Sequence, residues 1–171
     1  MATAEEVMDA ASPPPLFNGA LETGMRAVIV LDAAHPSTFD IAKLTWCDHL
    51  VVHTANINGP PSLHPDIPQR TGELLVRRRL VEDGVNLMRR LHLIYALVDA
   101  GGIRYQASEE ASAFIEALRS DYAWGLKQRA AWLAGYLADV SDSALAALIA
   151  DRIGRWAVEF QGEVGNAGGA P

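Results

Sequence analysis

Residues 73–107 read ELLVRRRLVEDGVNLMRRLHLIYALVDAGGIRYQA, and the spacing of apolar residues changes partway along this stretch. In its first half apolar residues recur every three or four positions, which is typical of helices. Gly84 fits either a point of close helix approach or the turn between two shorter helices, and we favour the turn. The segments Leu93–Ala100 and Ile103–Ala107 flank Gly101-Gly102, so they predict a β-hairpin with a two-residue glycine turn.

The position of the glycine pair also predicts the register of the hairpin. In this register Asp99 lies opposite Arg104, and Val98 lies opposite Tyr105. An ion pair and an aliphatic–aromatic pair would then support the two strands.

Helical patterns surround this stretch on both sides. Leu21–Ala34 and a second helix that runs to about Thr54 precede it, each with a broad apolar face. Ser108, Ser120 and Ser141 are positioned to cap three helices that follow it. The predicted order is two helices, a helix–turn–helix, a hairpin and a helix. This is the order of elements in a winged helix–turn–helix domain. The predicted fold class is therefore mainly α with a small β-hairpin, a winged helix–turn–helix domain plus C-terminal helices.

Composition divides the chain into four parts. Residues 1–15 end in three prolines and residues 162–171 are rich in Gly and Ala, so both are predicted to be disordered tails. Residues 16–119 form the winged helix–turn–helix domain, and residues 120–161 form a C-terminal helical extension. The predicted inward positions of that extension are Tyr122, Leu126, Leu133, Leu137, Leu145, Ile149, Ile153, Trp156 and Phe160.

Charge and cysteine content exclude several classes of protein. The 171 residues include 14 Lys and Arg against 21 Asp and Glu, a formal net charge of −7, which disfavours a generic nucleic-acid binder. The single cysteine, Cys47, excludes an internal disulfide and a multi-cysteine zinc site. No apolar run is long enough to cross a membrane, and the acidic N-terminus lacks the basic start of a secretory signal. We therefore expect a soluble, cytoplasmic protein that contacts no membrane.

A basic face is the first candidate functional surface. Five arginines lie between residues 77 and 90, against Glu82 and Asp83. In a winged helix the second helix of the turn, here about Glu82–His92, can enter the major groove of double-stranded DNA while the hairpin contacts phosphate. The same residues suit an acidic protein partner or an inert solvated face, and these alternatives stay open. The candidate DNA-binding or partner-binding residues are Arg78, Arg79, Asn86, Arg89, Arg90 and Arg104.

A proline-rich loop is the second candidate surface. Gly59–Asp66 contains three prolines, which stiffen the backbone and reduce the entropic cost of docking onto a partner. Its candidate partner-docking residues are Pro60, Pro61, Leu63 and His64. The equally weighted alternative is that the loop packs against its own helices and only connects them.

Other candidate sites are less well supported by the sequence. His49 and His53 are four residues apart on a helix, but the segment lacks the glutamate of a zincin motif, so we predict no metal site. Cys47 has apolar neighbours and is more typical of a core thiol than of a nucleophile. The chain contains no phosphate-binding loop, dinucleotide-binding glycine motif or nucleophile elbow, and we predict no cofactor. The aromatic residues Tyr122, Trp124, Trp132 and Tyr136 have helical spacing, which is typical of core or helix-pairing residues.

Four stretches of the sequence resemble a known family. They are residues 59–66 (GPPSLHPD), 70–78 (RTGELLVRR), 17–26 (FNxxLExGxR) and 102–111 (GIRYxAxEEA). Together they resemble the middle-component proteins of bacterial ABC-three-component systems, specifically the second middle-component type. The resemblance extends from about Leu16 to Tyr122. One departure from the usual winged-helix pattern is His92, where a glycine commonly ends the recognition helix in a left-handed conformation.

The resemblance implies a small non-enzymatic subunit with no catalytic residues to carry over. Such proteins are encoded between an SMC-like ABC ATPase and an effector, often a nuclease or a peptidase, in systems thought to act in anti-phage defence. The leading hypothesis is therefore an adaptor that binds the ATPase and, in one version, double-stranded DNA. The C-terminal aromatics Trp124, Trp132, Trp156 and Phe160 are candidates for a subunit interface.

Two other functions remain as alternatives. The chain could act as a free-standing dimeric winged-helix transcription regulator, which would bind DNA tightly without partners. It could also be a hydrolase that uses Cys47, His49 and His53, provided that these side chains converge with His64 in a pocket.

Overall fold

Helices account for most of the described residues, as the sequence predicts. The computed structural model describes residues 19–65 and 73–151. Its elements in chain order are α1 (Ala20–Ala33), α2 (Ile41–Leu50), a 3-10 turn (Thr54–Ile57), α3 (Glu73–Arg90), β1 (Ile94–Asp99), β2 (Gly102–Ala107), α4 (Glu109–Glu116), α5 (Asp121–Ala138) and α6 (Asp142–Asp151). The mainly helical fold with one antiparallel hairpin is confirmed, and the order of elements fits the general layout of a winged helix.

Helix α1 lies at the centre of the fold. It packs against α2, α3, α4, α5 and β2. Five consecutive residues, Ala27–Leu31, are buried, so this part of the helix has no solvent-facing side. A helix that is apolar on all sides belongs in a protein interior. The other helices therefore pack around α1, and α2 and α3 also contact each other.

Gly84 lies in the interior of α3, so the predicted turn at this residue is wrong. Helix α3 is continuous from Glu73 to Arg90, and Gly84 faces Gly24 of α1. A Cβ atom at Gly84 would lie 2.5 Å from the backbone N of Gly24 and 2.7 Å from the carbonyl O of Ala20. Glycine is needed here because two helix backbones approach closely.

The close approach also fixes which side of α3 faces the core. Val81, Val85 and Met88 lie three before, one after and four after Gly84, and all three are buried. Val76 and Leu91 do not belong to this inward side, because both are more than half exposed.

The end of α3 has the conformation that a glycine usually supplies. His92 has φ of 60°. The backbone N–H of Leu93 donates to the carbonyl of Met88, and that of His92 donates to the carbonyl of Arg89. These two bonds are the Schellman pattern, which satisfies carbonyls at the helix end and turns the chain into β1.

The hairpin is confirmed, but its predicted register is wrong. Asp99 pairs with Gly102 and Leu97 pairs with Arg104, so the two-residue loop is Ala100-Gly101 instead of the glycine pair. The Asp99 carboxylate accepts a bond from the N–H of Gly101, and Gly102 has φ of 117°, which favours glycine. The predicted Asp99–Arg104 cross-strand pair therefore does not form.

The connection between α1 and α2 holds the hairpin in place. Phe39 and Tyr105 exchange backbone hydrogen bonds of 3.0 and 2.8 Å. Arg104 donates from Nε to Thr38 Oγ1 at 2.8 Å and from Nη2 to the Thr38 carbonyl at 2.6 Å. Gln106 donates to the carbonyl of Pro36. Side chains of β2 thus fasten the base of the hairpin, while its tip extends beyond these contacts.

The C-terminal helices begin as predicted and share the core of the other helices. Ser120 accepts a bond from the N–H of Ala123, and Ser141 accepts one from the N–H of Ala144. Ser108 occupies the N-cap of α4 without a side-chain cap bond. The predicted inward residues Leu126, Leu133, Leu137, Leu145 and Ile149 are buried, whereas Tyr122 is 37% exposed.

Several predictions fall outside the described residues. They concern the tails 1–15 and 162–171 and the inward positions Ile153, Trp156 and Phe160. Among the described helices, none alone is long and apolar enough to cross a membrane. Only α5 and α6 taken together, across a 111° bend, meet that criterion.

Replacing Gly84 with alanine tests the helix crossing. We expect Gly84→Ala to lower the free energy of unfolding by roughly 1–3 kcal/mol, because the added methyl group overpacks the contact with α1. Gly135→Ala is the matched control: Gly135 lies in α5 with open space around its Cβ position, so alanine should raise stability by about 1 kcal/mol. Urea denaturation measures both changes. Equal effects of the two substitutions would contradict the close approach.

Candidate partner-binding face

A buried carboxylate positions α3. Asp48 on α2 accepts a hydrogen bond from Nε of Arg26 on α1 at 2.6 Å and another from Nη1 of Arg77 on α3 at 2.5 Å. The side chains of Arg26 and Asp48 are almost completely buried. Burial alone lowers the pKa of Arg26, but the Asp48 carboxylate and Tyr122 outweigh burial, so the pKa is raised above its ordinary value. Arg26 therefore stays charged, and the contacts of Asp48 with the two arginines hold three helices together.

The Asp48 contact divides the arginines of α3 into two groups. Arg77 points inward and is not part of the exposed basic face. Four predicted residues, Arg78, Arg79, Arg89 and Arg90, are exposed, as is Asn86. Arg78 pairs with Glu82 at 3.2 Å, and Nη1 of Arg89 lies 3.4 Å from Asn86 Oδ1. Asp83 is also exposed, so two acids interrupt the basic face.

The exposed part of the hairpin is apolar rather than basic. Tyr95, Leu97, Val98 and Ile103 are all at least 45% exposed, and Val98 reaches 78%. The remaining predicted residue, Arg104, is half-buried and binds Thr38. The hairpin therefore offers large apolar side chains, and its single arginine serves to fasten it to the α1–α2 connection.

An open groove of about 900 Å³ joins the two surfaces. Its α3 wall includes Asn86, Arg89 and Arg90, and its β1 wall includes Tyr95 and Ala96. We call the groove together with the exposed apolar residues of the hairpin the α3–hairpin face. One wall carries hydrogen-bond donors and positive charge, and the other carries apolar side chains and a strand backbone. This combination suits a peptide or protein surface with both apolar and acidic groups.

The proline-rich loop is packed against the rest of the chain. The N–H groups of Leu63 and His64 both donate to the carbonyl of Val52, and Arg129 of α5 donates to the carbonyl of Pro61 at 2.8 Å. A Cβ atom at Gly125 of α5 would lie 3.1 Å from Leu63 Cδ2, so the loop lies close to this helix. The four predicted docking residues are half-buried (Pro60, Leu63, His64) or exposed (Pro61). Their role in docking stays a prediction, and these contacts favour the packing alternative.

Three histidines lie close together, as the hydrolase hypothesis requires, but its nucleophile does not join them. The ring centroids of His49 and His53 are 4.5 Å apart, and those of His53 and His64 are 6.1 Å apart. Cys47 is buried in the hydrophobic core, and burial raises the pKa of its thiol to about 12. The thiol is thus protonated at neutral pH and unsuited to attack a substrate.

The same cluster has no metal-binding arrangement in the described part of the chain. Asp48, the acid nearest in sequence to these histidines, is engaged by Arg26 and Arg77. Within residues 19–65 and 73–151, no group of three or more His, Cys, Asp and Glu is placed to hold a metal ion.

Sequence reasoning missed the apolar character of the hairpin and the role of Asp48. The run from Ile94 to Val98 is apolar at every position, whereas a strand with one solvated face alternates apolar and polar residues. The missing alternation indicates that the second face of this strand is also apolar and needs to be covered. Asp48 gave no comparable signal, because its two partners are 22 and 29 residues away in sequence.

Fold and surface together define a small, mainly helical protein whose hairpin carries four of the nine large apolar residues that are exposed in the described part of the chain. Comparison with protein families gives the class a name. The chain belongs to the family of Middle Component 2 proteins of ABC-three component (ABC-3C) systems, and the family's model matches residues 16–159. The resemblance seen in the sequence is confirmed, and the match extends beyond Tyr122 through the C-terminal helices. Neither the curated proteins nor the solved structures that were compared match the chain.

Removing the charge of Asp48 tests its structural role. We expect Asp48→Asn to lower the free energy of unfolding by about 3–5 kcal/mol, because Arg26 would stay buried without a counter-charge. Asp142→Asn breaks the pair between Lys43 and the exposed carboxylate of Asp142 and should change stability by about 1 kcal/mol or less. Thermal or urea denaturation of both variants measures the difference. A loss for Asp48→Asn as small as that for Asp142→Asn would show that the buried pair is unimportant.

The loop histidine makes stability depend on pH. Burial lowers the pKa of His64 below 6.5, and the charges of Arg26, His53 and Arg77 act in the same direction, against a smaller opposing effect of Asp48. Below pH 6.5 the unfolded chain therefore binds a proton at His64 that the folded chain resists, so stability falls as pH decreases.

We expect the variant His64→Gln to lose less unfolding free energy than the wild type when the pH is lowered through 6.5. Urea titrations at a series of pH values give the slope of unfolding free energy against pH for each protein. A change in stability that is the same at every pH does not affect this slope. Identical slopes for the two proteins would contradict the assignment to His64.

Proposed function

We propose that the chain is a non-enzymatic adaptor subunit of its ABC-three-component system, and that it binds the SMC-like ABC ATPase subunit through the α3–hairpin face. In this proposal the complex is cytoplasmic, serves anti-phage defence and also contains the effector, a nuclease or a peptidase. The observation that carries the proposal is the exposed apolar hairpin beside the basic groove. Because the chain belongs to a family of multi-component systems, we expect it to have partner subunits.

The chemistry of the hairpin supports a protein partner over double-stranded DNA. DNA-binding surfaces are strongly basic, and most of their hydrogen bonds go to phosphate and sugar. The hairpin instead exposes Tyr95, Leu97, Val98 and Ile103 together with Asp99. Aromatic and aliphatic side chains of this kind form the core of protein interfaces.

The charge distribution supports the same choice. Asp83 lies on the exposed face of α3 among the arginines, and Arg78 is already paired with Glu82. The whole chain carries a net charge of −7. Repulsion between these acids and phosphate would weaken binding to DNA by this chain alone.

The state of the candidate reactive groups supports a non-enzymatic role. The Cys47 thiol is buried and protonated, and the Asp48 carboxylate is occupied by two arginines. Both groups contribute to the packing of α2 against its neighbours. In this proposal the ATPase and the effector supply the chemistry of the system.

The transcription-regulator alternative rests on a different observation. Arg79, Asn86, Arg89 and Arg90 are exposed on one helix, and Asn and Arg can bind base edges. If the chain acts alone on DNA, it should bind a specific duplex tightly, and Arg89→Ala or Arg90→Ala should weaken binding. The adaptor proposal predicts weak binding that shows little sequence preference in the absence of partners.

Co-purification with the ATPase subunit encoded by the same system tests the proposal. We expect Leu97→Asp to reduce the amount of captured ATPase at least tenfold, because a charge would be buried in an apolar interface. Trp124→Ala is the control, since Trp124 is 62% exposed on α5 and lies on the C-terminal helices that the sequence offers as another interface. If Trp124→Ala abolishes capture while Leu97→Asp does not, the C-terminal helices form the interface instead. If the wild type captures no ATPase, the proposed function is wrong.

A further inference from the structure

The outer edge of β1 has backbone groups that no described segment pairs with. Tyr105 directs its N–H and C=O toward Phe39, away from β1. Its neighbours Arg104 and Gln106 therefore direct theirs toward β1, where they face Leu97 and Tyr95. Ser108 N–H donating to the Leu93 carbonyl fits the same alternation.

It follows that Ala96 and Val98 direct their N–H and C=O groups to the opposite side. The sheet has two strands in the order β1–β2, so within the described residues this side of β1 is an unpaired edge. Two donors and two acceptors, spaced along a straight strand, match the bonding pattern of an additional strand.

The edge also lacks the usual protection against strand pairing. Natural edge strands carry lysine, proline or a bulge that prevents addition of another strand. The strand from Ile94 to Asp99 has no lysine and no proline, and its only charge is at its last residue. Tyr95, Leu97 and Val98 are exposed beside the edge, so they are available to contact the side chains of an added strand.

The charges of the groove indicate what kind of strand fits. Arg89 and Arg90 line the groove beside Ile94, Tyr95 and Ala96, while Asp83 is the single acid among the lining residues. If an added strand runs along β1, those of its side chains that lie beside Ile94 would be close to the two arginines. An acidic residue at that end and apolar residues near Leu97 and Val98 would complement the surface.

We infer that β1 binds an extended segment of the ATPase subunit as a third strand of the hairpin sheet, with apolar residues along Tyr95–Val98 and an acidic residue beside Arg89 and Arg90. This inference rests on the proposed function and adds the mode of binding. The main-chain bonds supply affinity, and the arginines and apolar side chains select the segment.

Residue-resolved amide deuterium exchange on the full chain tests the inference, with and without the co-expressed ATPase subunit. In the free protein the amides of Ala96 and Val98 should exchange faster than those of Tyr95 and Leu97, which bond to β2. In the complex the first two should slow by at least about tenfold. A complex that forms without this protection would overturn the inference and leave the proposed adaptor function intact. Absence of any complex would overturn both.

A pair of proline substitutions isolates the edge. Val98→Pro removes an N–H from the outer edge of β1, whereas Ile103→Pro removes one from the opposite edge of the sheet at the paired position. Neither N–H bonds across the β1–β2 pair, so neither substitution should disturb the hairpin. Equal thermal stability of the two variants would show that both are folded. We expect Val98→Pro to raise the Kd for the ATPase by about tenfold or more and Ile103→Pro to change it by less than about threefold.

Three further results would overturn the inference. Equal losses of affinity in the two proline variants would show that the edge is not used. Protection of Ala96 and Val98 that appears without the ATPase and grows with protein concentration would identify a second copy of this chain as the occupant. Protection caused by a DNA duplex instead of the ATPase would identify nucleic acid.

Discussion

Asp48 holds three helices to one another through a single buried carboxylate. Each of its oxygens accepts a bond from an arginine, one on α1 and one on α3, so α2 cannot shift without breaking an ion pair inside the protein. A buried pair of this kind contributes little net stability compared with apolar packing, but it is costly to break and it selects one arrangement. Here the selected arrangement turns Arg77 inward and leaves the other four arginines of α3 on the surface.

The approach of α1 to α3 acts with that ion pair. Gly24 and Gly84 allow the two helix backbones to meet, and the phase of α3 follows from this contact. The Schellman end at His92 then directs the chain into β1, and Arg104 fastens β2 to the α1–α2 connection. The position of the groove between α3 and the hairpin is thus a consequence of helix packing. The apolar tip of the hairpin is its most exposed part because the fastening contacts involve only its base.

Local signals in the sequence were sufficient to predict the helices, the hairpin and the caps at Ser120 and Ser141. They failed where the answer depends on a distant residue. Gly84 is compatible with both a turn and a helix contact until Gly24 is known to face it. The hairpin register depends on the Asp99 side chain and on Phe39 pairing with Tyr105, neither of which the glycine pair reveals. The sequence did not reveal that Arg77 of the arginine cluster and the candidate residue Arg104 bind groups within the fold, and the apolar hairpin was overlooked.

The central claim is that the α3–hairpin face contacts another protein of the system. The most direct measurement places a photo-crosslinking amino acid at position 98, the most exposed apolar position of the hairpin, in the intact complex. The account predicts a crosslink to the ATPase subunit, mapped to an extended segment that contains an acidic residue. A crosslink to DNA, or a crosslink to the ATPase only from position 124 on α5, would contradict it.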